Sequence, residues 1–518
     1  MKVPFVTASG MIGHFRAWHL SKALLGIVVA AGLGQVATAQ SGDKAAASAR
    51  QADFYRPEDV QSIYLTVSDK NMQRLLAALP ERIYVPAAFR WRDVSIDDVA
   101  IRFKGNSSSA PGQKHKRSFL IKFDEYVDDV RFLGLRRVSF DNAIQFGSLF
   151  AEPVITEILR DQGIKTHRCN YSKLYLNDKY QGVYVNVERI DETFIERNYP
   201  DPNGLLFKVD EGGPGGNLQF IGDDPVLYSK AFEPETKSAK KGQKQLVEFL
   251  RLINESAPDE FAKKLEATMA VDDFLRLTAV LLLSGAFDQL TGWNPHNYYL
   301  LRDAKQERWH YLPWDLDVGF CEVAFGHIQV LTDWNAAWPA AGQLPNPLMD
   351  RIVANPELLQ RYRSTARMIL DKYFEPDRLC AVIDAKYKLI KADLQSDPFP
   401  HQRITNPEDR SYDDIVASLK RFVRLRHASA RQQLENPGKR PAMSQQPHGP
   451  PPQLIAKIQR IQQAAEQMQR NGQDISPIRN VMERVGPLLQ KGQMAEAEKL
   501  IGEALKLAGV TGEAPPQK

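Results

Sequence analysis

At 518 residues and 43% hydrophobic content, the chain can bury at least one large core, and domain sizes of roughly 100–200 residues allow two or three units. Charged residues are 25% of the total and the formal net charge is +4, which excludes the strongly basic balance of a dedicated nucleic-acid binder. Cys169, Cys321 and Cys380 show no C-x-x-C or His/Cys spacing for zinc. A chain this long needs no disulfide to hold its core, so they read as buried or incidental.

In chain order, Arg16, His19 and Lys22 precede a short apolar stretch, residues 23–33, and then Ala37-Thr38-Ala39. A basic start, a short apolar core and an A-x-A site describe a cleavable signal peptide over residues 1–39, too short to span a bilayer. It predicts a secreted or periplasmic protein. Residues 40–55 read as a flexible leader. Ile63, Leu65 and Val67 alternate as a strand, and a helix follows from Asp69. Residues 83–124 read as strands broken by Gly, Ser and Pro. A helix is expected over 148–162, ended by Gly163, and then two strands joined by Asn177-Asp178, a hairpin signal.

Beyond Lys240 the spacing turns helical, over 243–254, 259–269, 271–287, 347–353, 356–373 and 411–434. One strand pair, HNYYLLRD and RWHYLPWDLD, interrupts the run. A strand-rich half before a helix-rich half predicts an α+β protein with two lobes and a cleft between them. Residues 437–453 are a Pro-rich linker, and 454–510 form an amphipathic helical extension, a candidate docking element for a protein partner or for its own chain. Breaks are expected there at Gly486-Pro487 and Gly492.

The strongest local signal for chemistry is Trp314-Asp315-Leu316-Asp317 at the end of a strand. Alternate strand residues share a face, so Asp315 and Asp317 are expected side by side, where a hard cation such as Mg²⁺ or Mn²⁺ would relieve their repulsion. Asp288, after the apolar helix, and Asn297, before the next strand, complete an ordered set of acid, amide and acid of the kind phosphoryl transfer uses. Upstream, Lys104-Gly105-Asn106-Ser107 joins two strands and offers small residues able to wrap phosphate oxygens. Lys122, on the following strand, could reach phosphates and pair with Glu157 on the next helix, or with Glu152.

These pieces together resemble the CotH (spore-coat protein H) kinase family across residues 56–436. The resemblance rests on VAIRFKGNSS, KRSFLIKFD, KLYLNDKYQGVYVNVERID, GLLFKVD, HNYYLLRD and RWHYLPWDLD. It implies an atypical protein-kinase-like bilobal fold, with an N-lobe over about 56–200 and a C-lobe over about 201–436. It also implies an ATP-dependent phosphotransferase using Mg²⁺ or Mn²⁺ and acting on Ser/Thr of an extracytoplasmic protein. Asp288 would be the catalytic acid, with Asp315, Asp317 and Asn297 on the metal. The KGNS loop would face phosphates, Lys122 and Glu157 would be the ion pair, and Glu188 would sit near the adenine. Lys208 matches a frequent family lysine. Asp288 and Asn297 are further apart than their kinase counterparts, so the intervening QLTGWNP must loop out, with Asn294 as the fallback ligand. The alternative is a kinase-like scaffold of the cell envelope without catalysis.

Overall fold

The computed structural model describes residues 46–518, apart from 106–110, 113–114, 144–148, 211, 293–294, 325–327, 340–345, 400–405, 407, 440–451, 471–472, 491–493 and 511–518. The signal peptide, Asn106, Ser107, Asn294 and most of the Pro-rich linker lie outside the described residues. Residues 1–54 and 55–518 form separate compact units. Within the first, 46–54 are helical where a flexible leader is expected, because alanine-rich AASARQA has high intrinsic helix propensity.

The strand-rich half closes on itself. Strands β1 (Val60–Thr66), β2 (Val85–Trp91), β3 (Val94–Lys104), β4 (Ser118–Lys122), β5 (Arg137–Asp141), β6 (Cys169–Leu176) and β7 (Lys179–Val187) form a barrel in the order β1-β2-β3-β4-β5-β7-β6. The expected hairpin joins β6 and β7, and Asn177 and Asp178 both take positive φ, 50° and 60°, as a two-residue turn of matching twist requires. Strand β5 was not foreseen, since five residues with charged ends carry little alternation. Helix α1 (Asp69–Ala78) is capped by Ser68, whose side chain accepts from the Asn71 N–H. Helix α2 (Ala151–Asp161) packs beside β6.

Register sorts the barrel wall into two faces. Phe103 lies opposite Phe119 and Ile101 opposite Ile121, all fully buried. The alternate positions, Arg102 opposite Leu120 and Lys104 opposite Ser118, therefore point the other way. That second face carries the polar residues that matter below.

The remaining sequence is mostly helical. Strands β8 (Leu205–Val209), β9 (Glu233–Pro234), β10 (Tyr298–Arg302) and β11 (Trp309–Pro313) make one small sheet in the order β11-β10-β8-β9. Around it lie α3 (Glu192–Asn198), α4 (Gln243–Glu255), α5 (Pro258–Thr268), α6 (Val271–Ser284), α7 (Pro347–Ala354), α8 (Pro356–Tyr373), α9 (Pro376–Gln395) and α10 (Tyr412–Glu435). Helix α6 is buried nearly throughout, each large apolar side chain contributing about 1.5–3 kcal/mol. It stops at Ser284, earlier than its apolar run suggests, because Gly285 takes φ +70° and closes the cap onto Leu281 and Leu282 carbonyls. Helix α9 was not anticipated. Two residues past its end, Asp397 pairs with Lys116 at 2.8 Å with both side chains 1% exposed. The same carboxylate accepts from the Val183 N–H, so it ties the helical half to β7 and to the start of β4. Removing one partner of such a pair costs about 3–5 kcal/mol.

The C-terminal extension is three helices, α11 (Pro452–Arg470), α12 (Ser476–Gln490) and α13 (Met494–Leu507), around their own core of Ile461, Val481, Val485 and Ile501. Helix α12 runs through Gly486-Pro487 instead of breaking there, held by Val485 and Leu488 on that shared core. The α+β reading thus holds, with the barrel and the three-helix count as additions. All three cysteines are free and buried. Among the described residues, no helix is long and apolar enough to cross a membrane.

Candidate active site

A cavity of about 250 Å³ opens where the polar face of β3, β4 and β5 meets the β10–β11 hairpin. Lys104, Gly105, Asp288, Asn297, Asp315 and Asp317 all line it, brought together from three separate stretches of sequence.

The acidic side is built by the hairpin and the turn before it. Asn297 directly precedes β10 and Asp315 lies two residues beyond β11. The Trp314 N–H donates to the Asn297 carbonyl at 2.9 Å, which extends the β10–β11 ladder by one rung and sets Asn297 beside Asp315. Both residues adopt φ +57°, a left-handed conformation that Asn and Asp tolerate best among side-chain-bearing residues. The expectation that Asp315 and Asp317 sit on the strand itself is therefore corrected: β11 ends at Pro313, and a turn aims both carboxylates at the cavity.

Asp288 lies four residues past the end of α6, not at the helix end. Its chain is fastened to the hairpin from both sides. Asn297 Nδ2 donates to the Asp288 carbonyl and to Oδ2, each at 3.2 Å, and Gln289 Nε2 donates to the Trp314 carbonyl at 2.8 Å. His296 Nε2 stands 3.5 Å from Asp288 Oδ1. The turn is tight: a Cβ on Gly292 would fall 1.8 Å from the Phe287 carbonyl oxygen, so only glycine fits.

Charge on this side is held under tension. Burial pushes the Asp315 carboxyl up to about 7, with Lys104 pulling down and Asp141, Glu152 and Asp288 adding repulsion. Asp317 is raised by burial and then by Asp315 and the same acids. Burial also raises Asp288, against His296 and the Asn297 hydrogen bond. Among the described residues no ion pair reaches Asp315 or Asp317. A set of carboxylate and amide oxygens with no nitrogen or sulfur fits Mg²⁺ or Mn²⁺, and a cation there would remove the repulsion.

The opposite side is cationic. Lys104 Nζ pairs with Asp141 at 2.5 Å and lies 5.5 Å from the Trp314 ring centroid. Burial opposes its charge, but Asp141 and Asp315 raise its pKa overall. Lys208, whose role the sequence left undetermined, pairs with Asp210 at 2.7 Å and lines the cavity with it. Behind the acidic turn, Glu152 Oε1 shares a 2.9 Å hydrogen bond with His167 Nε2 and accepts from the Leu316 N–H at 3.4 Å. Glu152, His167 and Cys169 approach within 4.8 Å of one another. With the Glu152 oxygen already taken by two donors, this cluster props the Asp315–Asp317 turn.

Three expected site residues lie elsewhere. Lys122 shares the face of Ser118 and Leu120, but it stands roughly 7 Å further along β4 than Leu120 and bonds Glu125 at 2.5 Å. Glu157 pairs with Lys386 of α9 at 2.9 Å, so the expected Lys122–Glu157 pair is not formed. The reason is helical: Glu157 is five residues, about 140° of rotation, from Glu152, and only Glu152 turns toward the site. Glu188 is enclosed by Arg168 and Arg197, each at 2.6 Å, which hold its pKa low against the cost of burial. It is not among the cavity's lining residues, whereas Arg189, the next residue, is. Sequence reasoning missed Asp141, Asp210, Arg189 and His296. Of these, His296 had a visible signal, its place next to Asn297.

Comparison with known proteins gives the family of the chain. The CotH kinase protein family model matches residues 101–430, more than half of the chain. The chain belongs to the CotH kinase family. It is 22% identical over 367 residues to the inner spore coat protein H of Bacillus subtilis (strain 168), covering 69% of this chain and 93% of that protein. A solved structure of the Helicobacter pylori proinflammatory kinase CtkA is 14% identical and covers 62% of this chain and 94% of that one, at a TM-score of 0.22, too low to define a shared fold. As a CotH family member the chain is a kinase-like protein.

Proposed function

We propose that this kinase-like protein is an extracytoplasmic protein kinase that transfers the γ-phosphate of ATP to Ser or Thr hydroxyls of secreted or cell-envelope proteins. The observation that carries the reading is the convergence of Asp288, Asn297, Asp315 and Asp317 on one cavity with Lys104 opposite. In this reading Asp288 orients the acceptor hydroxyl and takes its proton as the oxygen attacks the γ-phosphorus. The new P–O bond forms as the bond to the β-phosphate oxygen breaks, and ADP leaves. Asn297 fixes Asp288 through its side-chain amide. Lys104, held by Asp141, faces phosphate oxygens. Asp315 and Asp317, with the Asn297 amide oxygen, would hold Mg²⁺ or Mn²⁺, which supplies charge neutralisation between the phosphates.

The signal-like N-terminus supports export, and the Bacillus relative, by its name a spore coat protein, supports an acceptor in an outer protein layer. The three C-terminal helices are a candidate docking element for such a protein. The test is incubation of the mature chain with γ-labelled ATP, Mn²⁺ or Mg²⁺ and a generic Ser/Thr acceptor, beside Asp315→Ala and Asp288→Ala. Label transferred by wild type and by neither variant is the expected result. Absence of both nucleotide binding and transfer in the wild type would favour the scaffold reading, and label reaching the product from α-labelled but not γ-labelled ATP in a parallel incubation would indicate nucleotidyl transfer.

A further inference from the structure

Arg189 follows β7 at the junction between the barrel and the helical half, and its side chain lines the cavity. It is 8% exposed, yet its bonding is sparse. Among the described residues its one hydrogen bond runs from Nη2 to the Tyr299 hydroxyl at 3.4 Å, and its buried Nε has no partner. Arg426, fully buried, also leaves its Nε without a partner, yet it and the half-buried Arg168 are better served at their terminal nitrogens. Arg426 gives Nη2 to the Leu282 and Trp334 carbonyls at 2.6 and 2.5 Å, and Arg168 places its guanidinium on Glu188. A buried guanidinium without such partners needs an explanation, because an unmet buried donor is costly and an unpaired buried charge more so.

Its surroundings keep the charge in place without consuming it. The Arg189 guanidinium packs 4.7 Å from the Trp314 ring centroid, on the same indole that Lys104 approaches at 5.5 Å. Contact with a ring face orients a cation while leaving its N–H groups unspent. Burial works against ionisation, but Tyr299, Glu235, Asp191 and Asp210 outweigh it and hold the pKa above its ordinary value. None of those carboxylates lies within ion-pair distance among the described residues. Lys104 differs, having already spent donors on Asp141.

We propose that Arg189 is an anion-binding residue of this cavity and holds a phosphate group of the bound nucleotide beside Lys104, with Trp314 positioning both cations. The planar fork of a guanidinium matches two oxygens of one phosphate, and Arg is favoured over Lys wherever that match is needed. The inference rests on the nucleotide reading above but is tested apart from catalysis.

The experiment is calorimetric titration of the mature chain, wild type, Arg189→Lys and Arg189→Gln, with ATP, adenosine and inorganic tripolyphosphate in Mg²⁺. Arg189→Gln is expected to weaken ATP and tripolyphosphate alike by roughly 10- to 100-fold, the worth of charged hydrogen bonds, and to leave adenosine unchanged. Arg189→Lys should fall between, and it keeps a cation on Trp314 should the Gln variant fail to fold, as its melting midpoint will show. Equal binding of both phosphate ligands by Arg189→Lys and wild type, or an adenosine loss as large as the ATP loss, would overturn the assignment. Wild type binding tripolyphosphate but not ATP would remove the nucleotide and keep the anion site; binding of neither would remove both.

Discussion

The two sides of the cavity are assembled in opposite ways. The β10–β11 side gathers Asp288, Asn297, Asp315 and Asp317 from one short span of sequence, joined by a strand ladder and a tight turn; Asp288 has His296 beside it, and Asp315 and Asp317 have no ion-pair partners among the described residues. The barrel side draws Lys104 from β3 and Asp141 from β5, and Lys208 and Asp210 come from β8 and its end, so those cations arrive with their own acids. One side is a local motif carrying uncompensated charge. The other is a long-range construction in which charge is mostly neutralised before any ligand enters. A metal is therefore expected to act on the first side, and phosphate oxygens on the second.

Breaking the acidic side should have the largest effect. Asp315→Ala is expected to lower phosphate transfer by about 10³-fold and to abolish metal-dependent nucleotide binding, measured by labelled transfer and by Mn²⁺-dependent titration. Asp288→Asn should lower kcat by roughly 10²-fold or more while nucleotide binding persists, since the acid acts on the acceptor hydroxyl. If Asp288→Asn lost nucleotide binding as Asp315→Ala does, the division of labour between these acids would be wrong.

The barrel side should show a smaller loss of a different kind. Lys104→Met is expected to weaken ATP about 10-fold or more, read as a change in KM exceeding that in kcat. A pH dependence separates the sides further. Asp315 is pushed up to about 7 from an ordinary 3.8, so between those values the folded protein holds a proton that the unfolded chain has released. Stability of the metal-free protein should consequently fall as pH rises from about 4 to 7, and Asp315→Asn should flatten that slope in denaturant titrations. The smallest effect belongs to Lys122→Met, within about 0.5 kcal/mol in stability and without change in transfer, because its partner Glu125 is local and outside the cavity. A Lys122→Met variant that lost ATP binding would return that lysine to the site.

What could be read in advance follows the same division. Asp288, Asn297 and Asp315 were legible because the residues that join them lie within one hairpin, and hairpin register is a local property of sequence. Lys104 was named with its loop, although Asp141, its partner, was not, since the pairing depends on β4 lying between β3 and β5. The Lys122–Glu157 expectation failed for the complementary reason: both residues are correctly placed on their strand and helix, but position along β4 and rotation of α2 decide which lysine and which glutamate look inward.

By itself the sequence determined the strand-rich and helical halves, the turn at Asn177-Asp178, the β10–β11 hairpin and the acid set it carries. Those features rest on periodicity, turn chemistry and short-range spacing, which act within a few residues. Only the tertiary structure decided that seven strands close into a barrel, that Glu152 and His167 prop the turn after β11, and that Arg189 reaches the cavity while Glu188 is locked away by two arginines. Those outcomes depend on which distant segments share a face, and no local pattern carries that information.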